Sequence, residues 1–119
     1  MPSIVDLLLD TARADTELLF KNDALGDVHA TPREVDFLIR APDPEKAELI
    51  ASFINDNRYG SARAESDEGE SRVMVVIEMP ITQNVICSVS GLMACVARIF
   101  GAEYDGWGSV ICPRGRPVE

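Results

Sequence analysis

The sequence predicts an α+β fold in which a four-stranded antiparallel sheet carries two helices on one face and follows an N-terminal helix. Three observations support this: apolar residues at helical spacing, apolar residues in alternation, and turn-forming residues between them. With 119 residues, 46% of them hydrophobic, the chain fits one domain. We expect that domain to span residues 1–119, with its first helix at about residues 3–20 and its sheet at about residues 33–113.

The predicted elements begin with a helix and a strand. Apolar residues at positions 4–20 fall mostly on one helical face, so the first helix is expected to start after Pro2-Ser3. Gly26 interrupts that pattern. Residues 33–40 then alternate, with every second side chain apolar, which predicts the first strand.

A second helix and a hairpin follow. Asp43-Pro44 predicts the helix start, because aspartate accepts a free backbone N–H and proline suits the first helical position. The buried stripe of this helix is expected to be Ala47, Ile50, Phe53 and Ile54. Residues 61–65 and 72–79 have strand character, which predicts a hairpin with an acidic turn at residues 66–70.

The third helix has the clearest start and end signals. Pro80 stops the preceding strand, and the Thr82 side chain is expected to cap the helix. Ile81 is expected to pack on Ile86 across that cap, and Gly101 favours the left-handed conformation that closes helices. The buried stripe is expected to be Val85, Val89, Leu92, Met93, Val96, Ile99 and Phe100.

Residues 103–112 predict the last strand, ended by Pro113. The order after the first helix is then the split βαβ arrangement of ferredoxin-like domains. One sheet face is uniformly apolar and is expected beneath the second and third helices: Val35, Phe37, Ile39, Val73, Val75 and Ile77. The opposite face is mixed and is expected to be partly covered by the first helix or by a second subunit: Asp36, Leu38, Arg40, Met74, Val76 and Glu78.

The charge balance limits the partners. A formal net charge of -9 and a pI near 4.5 oppose direct binding to nucleic acid or to anionic membranes. The chain also lacks both a run of roughly twenty apolar residues and a positively charged signal start, so the cytoplasm is expected. The cysteines Cys87, Cys95 and Cys112 are odd in number, which favours reduced, mostly buried thiols.

No set of side chains predicts catalysis, and neither a metal nor a cofactor is expected. His29 falls in a predicted loop without a nucleophile beside it and is expected to be an ordinary surface residue. Cys87 and Cys95 lie roughly 12 Å apart along the third helix, too far to share one zinc ion. Glu103 and Asp105 share a strand face without a partner base, so a solvated or turn-stabilising role is favoured over acid–base catalysis.

The acidic turn of the hairpin allows two interpretations. Its carboxylates are Glu65, Asp67, Glu68 and Glu70. Their spacing does not match a calcium loop, and a solvated turn is favoured. The alternative is a site that binds a basic peptide or a cation.

Two stretches carry a family resemblance. Residues 101–108 read Gly-Ala-Glu-Tyr-Asp-Gly-Trp-Gly, and residues 32–38 read Pro-Arg-Glu-Val-Asp-Phe-Leu. The second is followed by Ala-Pro-Asp at residues 41–43 and by Tyr-Gly at residues 59–60. These stretches resemble the RraB family of ribonuclease E inhibitors, and the resemblance covers about residues 15–111.

The resemblance implies a regulator that binds the non-catalytic C-terminal region of ribonuclease E without cutting RNA itself. The candidate partner-binding residues are then Tyr104, Asp105 and Trp107, together with Glu65, Asp67, Glu68 and Glu70 of the acidic turn. Trp107 is either an interface anchor or a core residue, and the core is favoured. The alternative function is a homodimeric module of unknown ligand, joined through the open sheet face.

Overall fold

A computed structural model describes residues 3–113 of the chain. The fold is α+β and ferredoxin-like after the N-terminal helix, as the sequence predicts. The elements are α1 (Ile4–Ala24), β1 (Arg33–Ala41), α2 (Pro44–Asp56), β2 (Ser61–Asp67), β3 (Glu70–Met79), α3 (Gln83–Ile99) and β4 (Glu103–Ser109).

The four strands form one antiparallel sheet in the order β2-β3-β1-β4. Helix α2 lies over β2 and β3, and α3 lies over β1 and β4. The face beneath them is the predicted apolar one, and five of its six residues are fully buried: Val35, Phe37, Ile39, Val73 and Val75. Ile77 is half-buried and packs against the same core.

Helix α1 is longer than predicted and lies elsewhere. Its end comes just before Gly26, which has a φ of +85°. It contacts α3 and β4 rather than the open sheet face, so of the two expected coverings of that face the first helix is wrong, and the second subunit stays a prediction. Leu8 packs against the position of Gly91, where an added Cβ would lie 3.4 Å from a Leu8 methyl. A Cβ at Gly91 would be in ordinary van der Waals contact with Leu8, so the two helices are closely packed at this point.

Helix α3 is therefore packed on two sides. Most of the predicted stripe is confirmed: Met93 and Val96 are buried, and Val85, Val89, Leu92 and Phe100 are half-buried against the core. Ile99 is 72% exposed, against prediction, because the sheet and α1 both lie elsewhere around the helix. The buried residues are Ile86, Ser90, Met93, Ala94, Val96 and Ala97. Thr82 is the N-cap residue, but its side chain makes no capping hydrogen bond, contrary to prediction. Ile81 and Ile86 are both fully buried in the core.

The hairpin strands extend further into the predicted turn than expected. Only Glu68 and Gly69 separate β2 from β3. Both have positive φ, 50° and 82°, as a two-residue hairpin turn requires. The last strand is shorter than predicted, since β4 ends at Ser109.

Candidate partner-binding surface

Residues 101–108, one of the two stretches that resemble the RraB family, are called the signature here. A bulge in β4 determines where the side chains of this signature point. Tyr104 pairs with Ile39 and Trp107 pairs with Phe37, with a register shift between the two pairs. Residues three apart in a regular strand lie on opposite faces, but the extra residue of a bulge brings them to the same face. Gly106 has a φ of +94°, a conformation that favours glycine. The glycine in the signature thus allows Tyr104 and Trp107 to share the helix-covered face.

The polar groups of these two aromatic residues meet Asp15 of α1. Trp107 Nε1 donates a hydrogen bond of 2.9 Å to Asp15 Oδ1. The hydroxyl of Ser90 on α3 donates to the same oxygen at 3.0 Å. The Tyr104 hydroxyl lies 2.7 Å from the Ser90 oxygen. The cluster therefore joins α1, α3 and β4, and it uses the polar groups of both aromatic residues inside the protein.

Burial of this cluster favours the neutral forms of Asp15, Tyr104 and Cys87. Asp15 is 3% exposed, and its Oδ2 has no hydrogen-bond partner among the described residues. Burial raises the pKa of Asp15, although hydrogen bonds from Ser90 and Trp107 offset part of the rise. Burial also raises the pKa of the Tyr104 hydroxyl. Burial, and then the nearby Asp15, raise the pKa of the Cys87 thiol. The thiolate that nucleophilic chemistry requires is therefore disfavoured.

Asp15 is absent from the residues that the sequence singled out, although a signal for it exists. Leu8, Asp15 and Leu19 are spaced by seven and four residues, so they share one face of α1. A carboxylate within an apolar stripe is expected to be buried, and buried polar groups usually have a hydrogen-bond partner. The spacing alone does not say which residue that partner is.

A second buried cluster fixes the loop before β1. The side chains of Arg33 and Asp27 are 2% and 0% exposed, and Arg33 Nη1 lies 2.7 Å from both carboxylate oxygens. The guanidinium also donates to the backbone carbonyl oxygens of Val28 and Val110. Asp27 Oδ1 accepts a backbone N–H bond of 3.1 Å from Cys112. This ion pair clamps the loop to the segment that follows β4.

Asp105, unlike the two aromatic signature residues, faces solvent. Its carboxylate pairs with Arg40 of β1 at 3.0 Å, and the two side chains are 40% and 52% exposed. Glu103 is exposed on the same strand. No base or metal ligand joins them within the described part of the chain, where no three acidic, cysteine or histidine side chains form a metal site.

The acidic turn is partly neutralised by its own hairpin. Arg63 contacts Glu65 at 3.3 Å. Arg72 lies 3.9 Å from Glu65 and 3.7 Å from Asp67. Glu68 and Glu70 are exposed. These contacts fit the favoured interpretation of a solvated turn.

His29 is half-buried rather than an ordinary surface residue. Its backbone oxygen accepts an N–H bond of 2.8 Å from Ile81, which holds the loop against the start of α3. The three cysteines are also half-buried, and all are free thiols. Across residues 3–113, no helix combines the length and the apolar character needed to span a membrane.

The open sheet face has an apolar centre. Leu38 of β1 pairs with Met74 of β3, and both are half-buried. Beside them, the glycines Gly106 and Gly108 of β4 border a hollow of about 220 Å³. The three described helices lie on the other side of the sheet or beside it. Among the described residues, this is the sheet surface that remains available to a partner.

The comparison with protein families decides the assignment. The family model of RraB, regulator of ribonuclease activity B, matches residues 12–109, which is most of the chain. The chain belongs to the RraB family. A comparison with curated proteins gives no match. The match includes Asp15, Tyr104 and Trp107, so the cluster that docks α1 lies within the RraB region. The family regulates ribonuclease activity, which implies a ribonuclease as partner.

Proposed function

We propose that this RraB protein is a non-catalytic, cytoplasmic regulator that binds the C-terminal region of ribonuclease E and inhibits the enzyme. The observation that carries the proposal is the family match over residues 12–109. The site geometry supports it, because Tyr104 and Trp107 direct their polar groups into the interior. The described surface offers a partner an open sheet face with a hollow, bordered by the Arg40–Asp105 ion pair.

The charge of the protein supports a basic partner. With a formal net charge of -9, the protein attracts basic segments and repels RNA. Exposed charges accelerate the encounter, and salt screens them over about 8 Å at physiological ionic strength. Binding to a basic region of the nuclease is therefore expected to weaken as salt rises.

A titration tests the proposal. The purified full chain is titrated calorimetrically with the C-terminal segment of its host's ribonuclease E, at about 50 and about 200 mM salt. We expect binding at both concentrations, with a higher Kd in more salt. No binding at the lower salt concentration would overturn the proposed partner.

A second candidate is a homodimeric module of unknown ligand. The half-buried Leu38, Met74 and Val76 on the open face favour it, because a second copy would remove that apolar surface from water. Light scattering of the purified protein distinguishes the two proposals. A strictly monomeric mass would exclude the dimer. A dimer that dissociates when the nuclease segment is added would indicate that the second copy and the nuclease segment compete for the same sheet face.

A further inference from the structure

The register of β1 and β3 places like charges opposite each other at both ends of the open face. Arg40 pairs with Arg72 near one end, and Glu34 pairs with Glu78 near the other. Like charges directly opposite in an antiparallel pair are destabilising. Charges of the opposite sign nearby therefore stabilise each of these two pairs.

The arginine pair has such charges within the chain. Arg40 contacts Asp105 at 3.0 Å, and Arg72 lies within 4 Å of Glu65 and Asp67. Each arginine thus has a carboxylate of its own. The positive end of the face is internally compensated.

The pair of carboxylates, Glu34 and Glu78, has no ion-pair partner in the described part of the chain. Among residues 3–113, no arginine, lysine or histidine forms an ion pair with Glu34 or Glu78. Asp36, two residues along β1 from Glu34, adds a third carboxylate on the same face and also lacks an ion pair. All three residues are exposed. This end of the face is complementary to a cation that the described chain does not supply.

The hollow lies directly beside this acidic end. Gly108 of β4 pairs with Asp36, so a side chain at Gly108 would project from the open face. A Cβ added there would meet no atom within 4 Å. Leu38 and Met74 provide an apolar border. A side chain from a partner therefore has space above Gly108 and apolar surface to contact.

We propose that the open face binds an extended basic segment of a protein. Its lysine or arginine side chains pair with Glu34, Asp36 and Glu78, and one apolar side chain fills the hollow above Gly108. Alternate residues of an extended strand repeat about every 7 Å, which matches the spacing of Glu34 and Asp36 along β1. This inference rests on the proposed function and names the surface that receives the C-terminal region of the nuclease.

Two other surfaces fit this partner less well. The free edge of β2 is occupied at Ala62, because the Asn55 side-chain amide bonds both the N–H and the C=O of that residue at 2.9 Å. Two acidic-turn residues, Glu65 and Asp67, already contact arginines of the hairpin. The acidic end of the open face has neither obstacle.

Two variants matched in charge test the surface. The face variant is Glu34→Gln, Asp36→Asn and Glu78→Gln in one chain. The control variant carries the exposed substitutions Glu17→Gln, Glu48→Gln and Asp56→Asn on α1 and α2. Each variant removes three negative charges, which takes the formal net charge from -9 to -6.

Both variants are titrated with the ribonuclease E segment at one moderate salt concentration, beside the wild-type protein. We expect the Kd of the face variant to rise about tenfold, and that of the control variant by less than about threefold. An equal rise in the Kd of both variants would contradict the proposed binding surface, but it would not contradict ribonuclease E as the partner. No binding by the wild-type protein would overturn the proposed function itself.

Gly108→Leu tests the hollow separately. The backbone of Gly108 is not in the left-handed region and its Cβ position is open, so the variant is expected to keep the wild-type thermal midpoint. We expect it to raise the Kd at least about fivefold, because the leucine occupies the space of the partner's side chain. Unchanged affinity in a folded Gly108→Leu protein would contradict occupation of the hollow.

Discussion

Two buried aspartates of this protein have opposite surroundings. Asp27 meets the guanidinium of Arg33 at 2.7 Å and also accepts a backbone N–H bond. Asp15 is equally inaccessible, yet instead of an arginine it meets Trp107 and Ser90, which donate hydrogen bonds to one of its oxygens. Its other oxygen has no hydrogen-bond partner among residues 3–113. One carboxylate is thus paired with an arginine, and the other is buried without a counter-ion in the described part of the chain.

The different surroundings of the two aspartates indicate which of the two contacts between distant segments is expected to depend on pH. A buried carboxylate without a counter-ion favours its neutral form, and burial raises the pKa of Asp15. The docking of α1 through Asp15 is therefore the attachment that a rise in pH is expected to weaken. The predictions below test this contrast.

The largest expected effect is that of Arg33→Met. The substitution leaves the Asp27 carboxylate buried without its counter-ion, which costs about 3–5 kcal/mol of unfolding free energy in such sites. Urea denaturation measures the loss. The double variant Asp27→Leu with Arg33→Met is the control, and it is expected to recover part of the stability because no charge is left unpaired. A single variant within about 1 kcal/mol of wild type would contradict the clamp.

Trp107→Phe is expected to have an intermediate effect. Phenylalanine keeps an aromatic ring against the core but removes the Nε1 donor to Asp15, at a cost of about 1–2 kcal/mol. The same substitution in an Asp15→Ala background serves as control, since there the hydrogen bond no longer exists. An equal loss in both backgrounds would show that the bond does not stabilise the docked α1.

The pH dependence of stability gives the next test. Because burial raises the pKa of Asp15, the native state holds that proton more tightly than the unfolded chain does. The contribution of Asp15 is therefore complete below the ordinary aspartate pKa, and it is lost as pH rises through the raised value. The stability of wild type minus that of Asp15→Asn is expected to decrease from about pH 4 upward. A difference that grows with pH would contradict an unpaired Asp15.

The smallest expected effect is that of Arg40→Gln. This residue forms an exposed ion pair with Asp105, and exposed pairs contribute little because water and salt screen them. We expect a thermal midpoint indistinguishable from wild type. A loss of stability as large as that of Arg33→Met would contradict the prediction that the buried ion pair stabilises the fold more than the exposed one.

The sequence predicted those parts of the fold that local patterns determine. Alternation in β1 and β3 identified the covered face, and Asp43-Pro44 identified the start of α2, where the Asp43 side chain accepts the Lys46 N–H. The sequence left open whether α1 or a second subunit covers part of the open face, because the position of α1 depends on contacts between distant residues. Asp15 and Trp107 are separated by 92 positions, and no local pattern joins them.

The candidate site was predictable to a similar extent. The signature stretch was recognised, but the bulge that turns Tyr104 and Trp107 to one face depends on the pairing of β4 with β1. The opposition of Glu34 and Glu78 likewise follows from the register between two strands. The roles of Glu34 and Glu78 in partner binding stay predictions that the titrations above test.

The most direct test of regulation without catalysis is an RNA-cleavage assay. The protein is assayed alone, with full-length ribonuclease E, and with a ribonuclease E that lacks its C-terminal region. We expect no cleavage by the protein alone, slower cleavage by the full-length enzyme, and an unchanged rate for the truncated enzyme. Cleavage by the protein alone, or equal slowing of both enzymes, would contradict the proposed function.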